Sequence, residues 1–318
     1  VLRIATRRSA LARAQATQVG LALGVAFELV PLATTGDLHP DRAVEAFDTK
    51  GLFVDAIRAA VADGSCDVAV HSAKDLPGDP VDALTIAAHP RREDPRDVLI
   101  TADGHLLRSL PSVATVGTSS ARRRLQLLRV RPDLQVLPVR GNVDTRLRKV
   151  ADGELTAVVV ALAGLRRLYS DPDVGGVGPL GLPLRAVTLE PGECLPAPAQ
   201  GALAIECRTD DDATREMLRR VDDQATRIAV EAERSFQRML GGGCLTPIGA
   251  LATVTGDRLE LAGMLADPAR RRVLRQSATG AAAEPAAVAR TLADRIRELG
   301  GDAMLRNIHA QVRAGHGG

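Results

Sequence analysis

Short apolar runs alternate with amphipathic stretches along the chain, and the alternation predicts strands and helices in turn. Leu2-Arg-Ile-Ala-Thr6 reads as a short strand. It runs into an Ala-rich helix that begins near Ser9, whose hydroxyl suits an N-cap because the first helical amides have no partner within the helix. Residues 27–32 make a second strand, and residues 36–50, polar and broken by Gly36 and Pro40, predict a long loop. A helix from Leu52 to about Ala62 stops at Gly64. Asp67-Val-Ala-Val-His71 then has the composition of a buried strand and opens onto Ser72-Ala-Lys-Asp75 ahead of Pro77.

The same grammar restarts at residue 113. Val113-Ala-Thr-Val-Gly-Thr118 echoes the first strand, and Gly153-Glu-Leu-Thr-Ala-Val-Val-Val160 echoes Gly64-Ser-Cys-Asp-Val-Ala-Val70. Together the echoes predict two similar α/β domains in tandem. Ligands of open α/β sheets sit beyond the C-terminal ends of strands, so Thr6–Ser9, Ser72–Asp75, Thr118–Arg124 and Arg140–Asn142 are expected to frame a cleft. Residues 170–200, rich in Pro and Gly, read as linker, with helices expected at about 212–222 and 225–240. Beyond Cys244, residues 248–255, 258–265 and 272–278 alternate or run apolar, with turns at Gly256-Asp257 and Asp267-Pro268. That pattern predicts a three-stranded antiparallel sheet, closed by helices near 285–299 and 302–313.

The length, 318 residues, accommodates two or three such domains. Lys and Arg total 41 against 39 Asp and Glu, so the bulk charge selects no polyanionic partner. With only Phe27, Phe47, Phe53, Phe236 and Tyr169 as aromatics, a base-stacking platform is hard to build. No apolar run approaches the ~20 residues that span a bilayer. The cysteines, Cys66, Cys194, Cys207 and Cys244, show no CxxC spacing, and no secretory or transit segment is visible; they are expected as reduced thiols in a cytosolic protein. No metal-ligand spacing is present, so no metal is expected. Gly176-Val-Gly178-Pro-Leu-Gly181 matches a dinucleotide fingerprint in letters only, since it follows no clear strand and opens no helix.

Three features carry candidate chemistry. Arginines gather at strand ends: Arg7, Arg8, Arg122, Arg123, Arg124, Arg140, Arg146, Arg148, Arg166 and Arg167. They are either solvated helix faces or forks for an anionic ligand. Three in succession at a helix start favour the second, because that end already repels cations unless an anion compensates. Lys74-Asp75 is either a surface pair capping a turn or an anion-holding ammonium beside a general acid/base. Gly241-Gly-Gly-Cys244 is either a helix stop beside a buried thiol or a bare nucleophile that a large group can approach.

Taken in order, Ile4-Ala-Thr-Arg7, Lys50-Gly-Leu-Phe53, His71-Ser-Ala-Lys-Asp-Leu-Pro77, Gly117-Thr-Ser-Ser-Ala-Arg-Arg123, Arg140-Gly-Asn-Val143, Gln200-Gly-Ala, Glu206-Cys-Arg208, Gly242-Gly-Cys244 and Pro247-Ile-Gly249 span most of the chain. This series resembles the porphobilinogen deaminase family of haem biosynthesis. The resemblance implies an α/β fold class: two tandem type II periplasmic-binding-protein-like domains plus a C-terminal α+β domain with a three-stranded antiparallel sheet. It implies domain 1 over 1–92 plus about 196–220, domain 2 over 93–195 and domain 3 over 221–318.

The implied reaction condenses four porphobilinogen molecules head to tail, with loss of ammonia, into linear hydroxymethylbilane. It starts from a dipyrromethane cofactor held by a thioether, and Cys244 matches the anchor. Asp75 matches the catalytic carboxylate that stabilises the azafulvene cation formed on deamination. Ser72, Lys74, Thr118, Ser120, Arg122, Arg123 and Arg140 would hold the cofactor, and Arg7, Ser9, Lys50, Arg146, Arg167 and Gln200 the substrate. Ala199 stands where the family usually has Gly, and Gly241 where it often has Glu. A cytoplasmic monomer with no nucleic-acid or membrane partner is expected. The alternative, a two-lobed anion receptor without catalysis, leaves Asp75 and Cys244 without a task.

Overall fold

The strand–helix alternation resolves into three sheets in the computed structural model, which describes residues 1–33, 54–77, 81–169, 179–241 and 246–315. The chain divides into two compact units, Val1–Glu93 with Gly201–Glu231, and Asp94–Gln200 with Ala232–Gly318.

In the first unit, β1 (Leu2–Arg7), β2 (Phe27–Leu32), β3 (Val68–Ser72), β4 (Leu84–Ala88) and β10 (Leu203–Arg208) form one sheet in the order β2-β1-β3-β10-β4. β1 runs parallel to β2 and β3, whereas β10 lies antiparallel to both β3 and β4. Helix α1 (Ala10–Leu23) covers one face, where Ala16, Val19 and Leu23 pack on Ile4, Val68, Val70 and Ile205. Helix α2 (Asp55–Ala62) covers the other, with Ile57 and Val61 on Ala5 and Ala69. Burial on both faces is why β3 reads as an unbroken apolar run rather than an alternating one. A Cβ on Gly20 would lie 2.5 Å from the Phe27 ring, so α1 and β2 can approach as they do only with glycine there. Helix α6 (Asp212–Leu218) follows β10.

The second unit repeats the plan. β5 (Asp97–Thr101), β6 (Thr115–Gly117), β7 (Gln135–Leu137), β8 (Ala157–Ala161) and β9 (Arg185–Thr188) take the order β7-β6-β8-β5-β9. β6 is parallel to β7 and β8, and β5 is antiparallel to β8 and β9. The two sequence echoes therefore fall on matching strands: β1 and β6 are second in their sheets, β3 and β8 third. Helices α3 (Ala121–Val130), α4 (Val143–Ala151) and α5 (Leu162–Tyr169) belong to this unit. So does the antiparallel sheet β11 (Ile248–Thr255), β12 (Arg258–Asp267), β13 (Arg272–Ala281), with α8 (Pro285–Glu298) and α9 (Gly301–Gly315). Leu125 of α3 packs with Leu195, Met264 and Ala266.

Several expectations need correction. The span 170–200 is not all linker, because Arg185–Thr188 forms edge strand β9 on β5. Four residues between Pro183 and Pro191 are too few to show a period, and their partner lies far away in sequence. The helix expected at 212–222 ends at Leu218 and tightens into a 3-10 turn, Arg219–Val221. The strand expected from residue 113 starts at Thr115, since Val113 adopts a left-handed φ of 60°. The loop expected at 36–50 lies outside the described residues.

Candidate active site

In the first unit, the C-terminal ends of β1 and β3 frame a pocket lined by Arg7, Ser9, Gln15, His71, Ser72 and Asp75, among others. Ser9 caps α1, its hydroxyl accepting from the Ala12 amide at 3.2 Å. The Gln15 side-chain amide donates to Ser72 Oγ at 2.9 Å, and the Ser72 hydroxyl lies 3.2 Å from Gln15 Oε1. Asp75 closes the 3-10 turn Ala73–Asp75 and is exposed, while Lys74 beside it is half-buried. The turn is held to β10 because the Ala73 amide donates to the Ala202 carbonyl at 3.0 Å.

Behind the pocket lies a buried polar cluster centred on Glu206. His71 Nε2 is 3.1 Å from Glu206 Oε2, and Arg58 donates to the same carboxylate through Nε at 2.9 Å and Nη2 at 2.6 Å. Burial by itself would raise the Glu206 carboxyl, but the hydrogen bonds from His71 and Arg58 prevail and hold it at about 2.

The second unit places its candidates at two helix starts. Ser120 caps α3, with its hydroxyl accepting from the Arg123 amide, and Thr118 Oγ1 accepts from the Ser120 amide at 3.2 Å. Asn142 caps α4 by accepting from the Thr145 amide at 3.0 Å. Gly141 precedes it at φ 96°, which explains the Arg140-Gly-Asn sequence: this turn needs a residue free of Cβ strain and then a side-chain acceptor. Arg146 donates to the Gly141 carbonyl at 3.0 Å. Burial and the like charge of Arg123 both depress the Arg146 guanidinium, a setting that favours an anion as neighbour.

Arg122 and Arg123 point inward. Their side chains are 6% and 8% exposed and both pair with Asp97, at 2.8 and 2.7 Å. The anion demanded by successive arginines at a helix start is thus provided, for these two, from inside the chain. Arg124 is exposed. Gln200 also donates to Asp97, at 2.8 Å. Burial opposes the charge on Asp97, yet the two guanidiniums outweigh it and hold the carboxyl far below the ordinary range.

The structure therefore gathers Arg7, Ser9, Ser72 and Asp75 in one unit, and Thr118, Ser120, Arg122 and Arg123 around one helix start in the other. Arg140 is exposed, and Arg167 sits half-buried in the last turn of α5. Lys50 and Cys244 lie outside the described residues. Sequence reading missed Gln15, Glu206 and Asp97 as site-supporting residues. Their available signal was a polar residue on an otherwise apolar face, as with Asp97 ahead of Val-Leu-Ile. No group of three or more His, Cys, Asp or Glu that could hold a metal occurs among the described residues, and no described helix is long and apolar enough to cross a membrane.

Comparison with known proteins places these motifs in a family. The model of the porphobilinogen deaminase dipyromethane cofactor binding domain matches residues 2–216, and that of the porphobilinogen deaminase C-terminal domain matches residues 227–298. The porphobilinogen deaminase of Acidothermus cellulolyticus is 44% identical over 313 residues, covering 96% of this chain and 91% of its own. That of Sorangium cellulosum is 47% identical over 280 residues, covering 86% and 89%. Among solved structures, the periplasmic aliphatic sulphonate binding protein SsuA of Escherichia coli aligns with a TM-score of 0.40 at 13% identity, covering 74% of this chain and 69% of that one. The chain belongs to the porphobilinogen deaminase family, transferases that condense porphobilinogen into hydroxymethylbilane in tetrapyrrole biosynthesis around a dipyrromethane cofactor.

Proposed function

We propose that Asp75 is the catalytic acid/base of this reaction and that the arginines at the strand and helix ends take the carboxylates of substrate and product. The observation that carries the reading is the convergence of Arg7, Ser9, Ser72 and Asp75 on one pocket at the ends of β1 and β3. An exposed carboxylate in a pocket that a guanidinium also lines is suited to stabilise positive charge that develops as ammonia leaves. It is equally placed to take the ring proton when aromaticity returns.

The residues present fit a dipyrromethane. Each pyrrole carries an acetate and a propionate, and Arg146 set beside Arg123 supplies the cationic surroundings that such carboxylates need. Cys244 would anchor the group by a thioether, and Ser72, Lys74, Thr118, Ser120, Arg122, Arg123 and Arg140 would hold it. When bound, the cofactor supplies the primer end to which new units are joined. Arg7, Ser9, Lys50, Arg146, Arg167 and Gln200 would bind incoming substrate.

The three sheets support a division into three domains, 1–92 with about 196–220, 93–195, and 221–318. We take the protein to act as a cytoplasmic monomer without nucleic-acid or membrane partners, and the near-balanced charge supports the part of this that excludes a polyanionic partner. The test is to add porphobilinogen to the purified protein. Ammonia release together with a linear product that cyclises to uroporphyrin is expected; binding with neither product would overturn the reading in favour of a receptor.

A further inference from the structure

Asp97 opens β5, a strand whose five residues are all buried, and is itself 0% exposed. An ionised carboxylate survives there only if its lone pairs are used. Oδ2 accepts from Arg122 Nη1 at 2.8 Å and from the Cys194 thiol at 3.3 Å. Oδ1 accepts from Arg123 Nε at 3.1 Å, Arg123 Nη2 at 2.7 Å and Gln200 Nε2 at 2.8 Å. Three of these four donor side chains are ones assigned above to cofactor or substrate. They come from separate segments, the first turn of α3 and the turn Ala197–Gln200.

The arrangement treats the two arginines differently. Arg123 spends Nε and Nη2 on Asp97 and Nη1 on the Val159 carbonyl. Arg122 uses Nη1 for Asp97 and for the Leu195 carbonyl, and among the described residues its Nε–Nη2 edge makes no hydrogen bond. That edge is the one whose geometry matches a carboxylate. The Gln200 turn is fixed from a further buried carboxylate: Glu233 of α7 (Gln224–Met239) accepts from the Ala199 amide at 2.6 Å and the Ala252 amide at 2.7 Å.

We propose that Asp97 is a positioning residue for carboxylate recognition: tied down by Arg123 and Gln200, it holds the open Nε–Nη2 edge of Arg122 in the arrangement that receives the ligand, while touching no reacting atom itself. The proposal rests on the binding roles given above to those three residues. Its physical content is preorganisation: a long side chain ordered during folding loses less freedom when the ligand arrives.

Two variants test it in the full chain, with porphobilinogen as the probe. Asp97→Asn removes the charge in the same volume, and Asp97→Glu keeps the charge but displaces it by one methylene. Melting temperature by circular dichroism, intact mass for the bound primer, and separate KM and kcat values are measured for each. A KM raised on the order of tenfold or more in folded, primer-loaded Asp97→Glu, with a smaller change in kcat, is expected. Folded Asp97→Asn should also lose part of its primer loading. A purely structural role would lower melting temperature and folded yield while leaving the KM of loaded molecules unchanged. That result in Asp97→Glu overturns the proposal whether or not Asp97→Asn folds. The unmodified protein is the control: if it fails to turn over porphobilinogen the functional reading falls, whereas normal turnover there with unchanged KM in the variants removes only the positioning role.

Discussion

Asp75 ends a three-residue turn beyond β3 and is exposed to the pocket, whereas Asp97 is sealed inside β5 against two guanidiniums. Arg7 lines the same pocket as Asp75, and of the two carboxylates only the exposed Asp75 is open to a substrate. An accessible charge near a developing cation contributes on the order of 10²–10³ in rate. Asp75→Asn keeps the shape and most hydrogen-bonding capacity while removing that charge. A folded Asp75→Asn protein is therefore expected to release ammonia in a single turnover at least ~10²-fold more slowly at saturating porphobilinogen. Asp75→Glu should retain more activity, because the charge is kept and merely displaced. A wild-type single-turnover rate in Asp75→Asn would make Asp75 a structural cap.

At the scale of elements, Glu206 joins three of them: it sits on β10 and receives hydrogen bonds or ionic contact from Arg58 of α2 and His71 of β3. Its carboxyl lies at about 2 in the folded protein against an ordinary 4.5. A carboxyl depressed on folding contributes stability that is present above its unfolded value and lost as pH falls through its folded one. The difference corresponds to on the order of 3 kcal/mol. Glu206→Gln should be less stable than the unmodified chain at pH 7 in urea titrations, and the gap should narrow by more than half between about pH 5 and pH 3. A gap independent of pH across that window would show that the ionisation of Glu206 does not support the fold.

The same scale shows what the chain made readable. The caps Ser9, Ser120 and Asn142 act within three residues, and the β11–β12 hairpin turns at Gly256-Asp257, so local pattern suffices for both. Strands β5, β9 and β10 depend on partners far off in sequence and were not legible as strands. The pocket was readable because strand ends carry it. The inward turn of Arg122 and Arg123 was not, since their partner Asp97 lies 25 and 26 residues away. Ala199, at φ 61°, occupies a backbone conformation that favours glycine, which accounts for the residue usual there in the family.

For the molecule as a whole, the question is which of four cysteines carries the primer. Cys66, Cys194 and Cys207 are 1%, 0% and 0% exposed, placed behind or within the sheets. Burial raises the Cys66 thiol, pushes Cys194 up to about 12 with Asp97 adding to the effect, and pushes Cys207 up to about 11. The thiolate is the form that attacks an electrophilic carbon, so these three are poor nucleophiles as well as inaccessible ones. Cys244, after three glycines, remains the residue with the sequence surroundings of an anchor. The intact mass of the purified chain is expected to exceed its sequence mass by two porphobilinogens less two ammonias. Cys244→Ser should remove that increment, while Cys66→Ser, Cys194→Ser and Cys207→Ser each retain it. Because Cys194 touches Asp97, Cys194→Ser tests the assignment most severely: loss of the increment there with retention in Cys244→Ser would move the attachment point into the buried cluster and refute the anchor at Cys244.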